Sequence, residues 1–161
     1  RLVGLSREHH HALVLAAHLR KAVQAGGDLA AMARRAARQF ADEIDPHFRV
    51  EEEILLPALR RLGPAEDCFV QQIEADHAWL RAGAARAAGG ETAHLLAWAE
   101  RLTAHVRFEE REVFEHCQQV LSPEILDAVG LARPAEPPPR GRSDRTSPDD
   151  ESGAGTAASE E

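Results

Sequence analysis

The chain of 161 residues has no tyrosine, and aromatic side chains make up 4% of it. β-Branched residues are also scarce. Strands draw on both classes, so an all-β fold is disfavoured. There are two cysteines, Cys68 and Cys117, and no CxxC pair. That excludes a disulfide framework and suits a reducing, cytoplasmic setting. No apolar run approaches about 20 residues, so no membrane span and no membrane partner are expected. Positive charge is in deficit. Nineteen Lys and Arg stand against 27 Asp and Glu, a net charge of −8. Phosphate binding needs a cationic face, which excludes nucleic acid as the main partner.

What remains is rich in alanine, leucine, arginine and glutamate, which are helix formers. The length fits one domain with a real core and is short for two. Ser6 reads as the N-cap of a first helix running to about Gln24, closed by Gly26 and Gly27. Asp28 caps a long second helix, from about Leu29 to Arg61. Pro46 lies inside it and predicts a kink beside His47. Gly63-Pro64 ends that helix. A third is expected over about Ala65–Ala87 and a fourth over about Thr92–Gln119. Ser122-Pro123-Glu124 starts a short fifth helix, to about Val129. From Ala132 onward the chain is Pro, Ser, Gly, Arg and acidic residues. That stretch buries too little to offset its ordering entropy and is expected to be a disordered tail over 132–161. The predicted fold is all-α: an up-down-up-down four-helix bundle over 1–131 with a short C-terminal helix.

One segment occurs twice. His47-Phe48-Arg49-Val50-Glu51-Glu52 returns 58 residues later as His105-Val106-Arg107-Phe108-Glu109-Glu110. Each copy sets a His and a Glu four positions apart. At about 100° per residue, both side chains share one helix face. The apolar stripes say which face. In helix 2 the stripe is Phe40, Ile44, His47, Glu51, Ile54, Leu55, Ala58. In helix 4 it is Leu95, Trp98, Leu102, His105, Glu109, Val113. The His and Glu therefore point inward, where a solvated charge run would not. An isolated His-Glu pair at this spacing is more often a surface pair worth about 0.2–0.5 kcal/mol. Two inward copies change that balance.

Helices 1 and 3 are expected to complete the set. Helix 3 offers His77, preceded by Asp76. Helix 1 offers His9, His10 and His11. Glu8-His9 mirrors Asp76-His77, which favours His9, while the register of Leu13 keeps His10 open. His11 points away. Four imidazoles with Glu51 and Glu109 suit a pair of metals. Each carboxylate can bridge both ions, each ion takes two imidazoles, and positions stay open for an oxo or hydroxo bridge and an outside ligand. Nitrogen and oxygen donors without thiolate favour two iron ions, with Mn or Zn as alternatives. Glu52, Glu53 and Glu110 read as flank residues and Glu112 as a candidate acceptor behind the ligands. His18, His94 and His116 lie too far along their helices, 11 residues from His105 for the last two, or roughly 16 Å. Trp79 and Trp98 read as core. Cys68 and Cys117 approach one end of the bundle, where a redox pair is a further reading.

These motifs together resemble the hemerythrin-like, or HHE cation-binding, domain family over about Leu5–Leu121. The resemblance implies a four-helix bundle with a non-haem di-iron centre. Its terminal ligands would be His47, His77, His105 and one of His9 or His10, and its bridging carboxylates Glu51 and Glu109. It implies a small diatomic or peroxide ligand, and binding or sensing of O2, NO or iron. The alternative is a di-iron enzyme consuming peroxide or reducing nitric oxide. One departure matters. Oxygen-carrying members place a second His four residues after the helix 3 ligand, where this chain has Arg81. That argues against reversible oxygen storage, and without tyrosine no phenol can serve the centre.

Overall fold

The computed structural model describes residues 2–132. Residues 133–161, with nearly all of the expected disordered tail, lie outside the described residues. Five helices follow one another: α1 (Val3–Ala25), α2 (29–62), α3 (Asp67–Ala88), α4 (95–120) and α5 (Pro123–Leu131). Neighbour contacts run α1 to α2, α2 to α3, α3 to α4, and α4 back to α1. That closed ring is the all-α, up-down-up-down bundle expected from the sequence. Among the described residues no helix is long and apolar enough to cross a membrane.

The ends show where local signals prevailed and where packing did. The Asp28 side chain accepts the Ala31 N–H at 2.9 Å, an N-cap as anticipated. Ser6 does not cap α1. Its own N–H bonds the Leu2 carbonyl at 3.2 Å, inside the helix. Leu2 and Leu5 are buried, and their packing carries the helix past the serine. α4 starts at Leu95 rather than Thr92. Just before it, the His94 ring bonds the Gly83 carbonyl at 2.8 Å and holds the turn. Gly63 ends α2 at φ 135°, a conformation that glycine takes without strain.

Pro46 and Pro57 do not break α2. Each is preceded by a π turn, over Phe40–Ile44 and Glu51–Leu55. There Asp45 bonds back to Phe40 and Leu56 to Glu51, five residues rather than four. The wider turn relieves the crowding that a proline ring creates. A third π turn, Glu109–Val113, lies in α4 with no proline after it. Two of the three therefore begin at Glu51 and Glu109, the matched positions of the repeated segment.

The core is split in two. One apolar cluster gathers Leu15, Leu19, Phe40, Phe48, Leu80, Trp98 and Leu102. The other gathers Leu5, Leu55, Leu59, Ile73, Val113, Leu126 and Val129, so α5 closes the second end. His9, His47, Glu51, His77, His105 and Glu109 are all buried among them. The anticipated stripes are buried throughout, apart from the half-buried Ile54. Trp98 is core, but Trp79 is 40% exposed. The Arg101 guanidinium lies 6.0 Å from its ring, drawn there by the pairing with Asp76. Cys117 is buried and Cys68 exposed, both as free thiols, so the redox pair does not form here.

Candidate metal centre

Four helices each send one imidazole into the layer between the apolar clusters. His9 comes from α1, His47 from α2, His77 from α3 and His105 from α4. Glu51 and Glu109 come from the π turns of α2 and α4. The six fall into two groups of four: His9, His47, Glu51 and Glu109, then His77, His105, Glu51 and Glu109. Within each group one donor atom per residue lies within 4.8 Å of the others. Both glutamates belong to both groups. The inner contacts are short. His9 Nε2 is 3.0 Å from Glu109, His47 Nε2 3.2 Å from Glu51, and His77 Nε2 3.3 Å from Glu51. His105 Nε2 is 3.3 Å from Glu109.

Despite these distances, both oxygens of Glu51 and of Glu109 lack an aligned hydrogen bond, as do the inner nitrogens of His77 and His105. Fully buried polar atoms are seldom left so, because desolvation is then uncompensated. The donor atoms of each group lie within 4.8 Å of one another, close enough to share points between them. A cation at those points would satisfy them, and imidazole with carboxylate is a suitable donor set.

Each imidazole is also held from outside. Glu8 of α1 accepts from His47 Nδ1 at 2.9 Å. Glu52 of α2 accepts from His77 Nδ1 at 2.8 Å. Asp76 of α3 faces His105 Nδ1 at 3.4 Å, and Glu110 of α4 accepts from His9 Nδ1 at 2.7 Å. The order closes on itself: each helix supplies a carboxylate to the histidine of the next. A carboxylate accepts only, so Nδ1 of His9, His47 and His77 carries a proton, which leaves each Nε2 directed inward as the donor atom for a cation. Two of these acids are held in turn by arginine. Arg81 donates to both oxygens of Glu52 and to Asp45, and Arg101 donates to Asp76. Arg81, four residues after His77, thus braces that imidazole through Glu52. Phe48 stacks on His77 with centroids 3.7 Å apart, and Phe114 on His9 at 5.2 Å.

Charge balance is tight. Burial pushes His47 down, yet Glu51 and Glu8 overcome it and lift the imidazole to about 10. Burial likewise lowers His105, and Glu109 and Asp76 raise it above the ordinary histidine value. Burial raises Glu51, but His47 and His77 hold it well below the ordinary carboxylate range. The inner carboxylates demand a cation. Without a metal, a proton on His47 supplies one.

His10 is exposed and lies outside both groups, whereas His9 is buried and belongs to one of them. The helix turn that buries Leu5 and Ala12 carries His9 inward and His10 out. His94 and His116 also lie outside, bonded to Gly83 and facing Glu66. Glu52 and Glu110 are not idle flank residues, whereas Glu53 and Glu112 are exposed. The missed signal was in plain view: each outer acid adjoins an inner ligand, in Glu8-His9, Glu51-Glu52, Asp76-His77 and Glu109-Glu110.

The family model for the hemerythrin HHE cation binding domain matches residues 2–117. The chain belongs to this family. Comparison with curated proteins and with solved structures returns no match. All six inward residues of the HHE domain fall inside the matched span.

Proposed function

We propose that this HHE domain holds a non-haem di-iron centre and uses it to bind or sense a small ligand: O2, NO or iron itself. The observation that carries this reading is the sharing of Glu51 and Glu109 by two four-residue groups. His9 and His47 would hold one ion, His77 and His105 the other, with the two glutamates common to both. Such a pair supplies Lewis acidity and electron exchange to a small ligand when bound. The protein's part is to present four Nε2 lone pairs, exclude bulk water with two apolar clusters, and leave coordination positions open. Mn or Zn also suits these donors. Free thiols at Cys68 and Cys117 are compatible with a reducing cytoplasm.

Glu110 favours a second reading, an enzyme that consumes peroxide or reduces nitric oxide. Its partly exposed carboxylate bonds His9 and can hold or move a proton at Nδ1. Turnover by iron-loaded protein, lost in Glu51→Ala, would select it.

Metal analysis tests the main reading. Two irons per chain are expected in the purified protein. Glu51→Ala and Glu109→Ala should each lose both ions together, with helical circular dichroism retained. Full iron in either folded variant would refute the shared-carboxylate arrangement.

A further inference from the structure

The four outer carboxylates differ in their access to solvent. Asp76 is 4% exposed and bonded to Arg101. Glu8 is 15% exposed. Glu52 is 30% exposed but clasped through both oxygens by Arg81. Glu110 is 35% exposed, the most open of the four. It borders a cavity of about 450 Å3 between the start of α1 and the later turns of α4. The other lining residues are Leu2, Ser6, Phe114, Glu115 and Gln118.

Two residues of that lining touch the centre. Glu110 bonds His9 Nδ1 at 2.7 Å, and the Phe114 ring stacks on the same imidazole. The opposite edge of His9 reaches the inner cluster, with Nε2 3.0 Å from Glu109 and 3.1 Å from His47 Nε2. A single imidazole therefore separates the cavity from the inner carboxylates. Glu115 is exposed as well, so the cavity is lined by two carboxylates, of which Glu110 is the one bonded to His9. Such a cleft concentrates cations and steers them inward. Leu2 and Phe114 supply an apolar lining beside these carboxylates.

We propose that this cavity is the inlet by which a divalent metal ion reaches the centre, with Glu115 collecting the ion and Glu110 passing it to the His9 side. The proposal rests on the metal-binding reading above. Both ions would enter from one end of the layer, so the His9 and His47 position lies nearer the inlet than the His77 and His105 position.

The test is stopped-flow uptake of cobalt(II) by the full chain stripped of metal, followed by visible absorption. Glu115→Gln should slow uptake roughly threefold to tenfold at low ionic strength, with the difference shrinking as salt screens the charge. Glu115→Lys should slow it further. Glu112→Gln removes the same charge from an exposed site on the same helix, outside the cavity lining, and should match the unaltered chain. Equal rates for the unaltered chain and both Glu115 variants would overturn the inlet, as would equal slowing by Glu112→Gln. No cobalt uptake by the unaltered chain would instead overturn the metal-binding reading itself. The two failures are thereby distinct.

Discussion

Each histidine of the centre works through both ring nitrogens. Nδ1 of His9, His47 and His77 is bonded to a carboxylate on a neighbouring helix, and that of His105 faces Asp76 at 3.4 Å; these acids set the ring angle that Nε2 needs. The outer acids should therefore matter although they touch no metal. Glu52→Gln and Asp76→Asn keep the shape and remove the charge. Each should weaken metal binding by about 10- to 100-fold, measured by competition with a chelator. Glu53→Gln, one residue from Glu52 but exposed, should leave affinity unchanged. Equal affinity across all three variants would show that the ring of carboxylates is ornamental. The inner residues were legible because the His and Glu recur at helical spacing within apolar stripes. The outer ones were not, because each acts on a neighbouring helix. A residue next to an inward ligand is turned about 100° from it, which on one helix looks like a flank. In the bundle, that flank faces the next histidine.

At the scale of the helix, prolines and π turns explain what propensity missed. Pro46 predicted a kink, and the chain answers with a five-residue turn that keeps α2 continuous to Leu62. The π turn at Glu109 arises without proline, at the position of the repeat that matches the Glu51 turn. Helix ends shifted wherever a buried side chain outweighed a capping signal, as at Leu2 and Leu5. Away from the centre, α3 and α4 are pinned by Trp98, whose indole N–H donates to the Leu80 carbonyl at 3.0 Å. Gly83 makes this approach feasible. A Cβ there would stand 2.6 Å from Cδ1 of the indole. Gly83→Ala should cost about 1–3 kcal/mol through overpacking, read from thermal or urea unfolding. Metal content should stay intact, because the change lies in the apolar cluster on one side of the layer. Loss of metal without loss of stability would contradict this division of the core.

For the whole molecule, the polar layer sets up a conflict between folding and function. Six ionisable side chains are buried where apolar packing would be simpler, and only a cation reconciles them. Stripping the metal should lower the melting temperature, since metal bound to the folded state stabilises it by mass action. The stripped protein should also respond to pH in a defined direction. His47 is raised from 6.5 to about 10 in the folded state. Its contribution is thus fully present below about pH 6.5 and is lost as pH climbs through 10. Glu51 is lowered from 4.5, so its contribution is present above that value and is lost in acid. Melting temperatures of stripped protein should therefore peak between about pH 4.5 and 6.5 and fall towards pH 10. A rise in stability across pH 7 to 10 would contradict the proton's place in the layer. The fold as a whole was readable from composition, glycine breaks and stripe periodicity, because four amphipathic helices with short links have few ways to pack. The split of the core into two clusters was not, since periodicity marks a face and not a height along the bundle.

The most direct measurement is anomalous diffraction at the iron edge from crystals of the iron-loaded chain. Two peaks should lie within the buried layer, one beside His9 and His47 and one beside His77 and His105, with Glu51 and Glu109 reaching both. A single peak, or peaks away from these two glutamates, would contradict the shared centre.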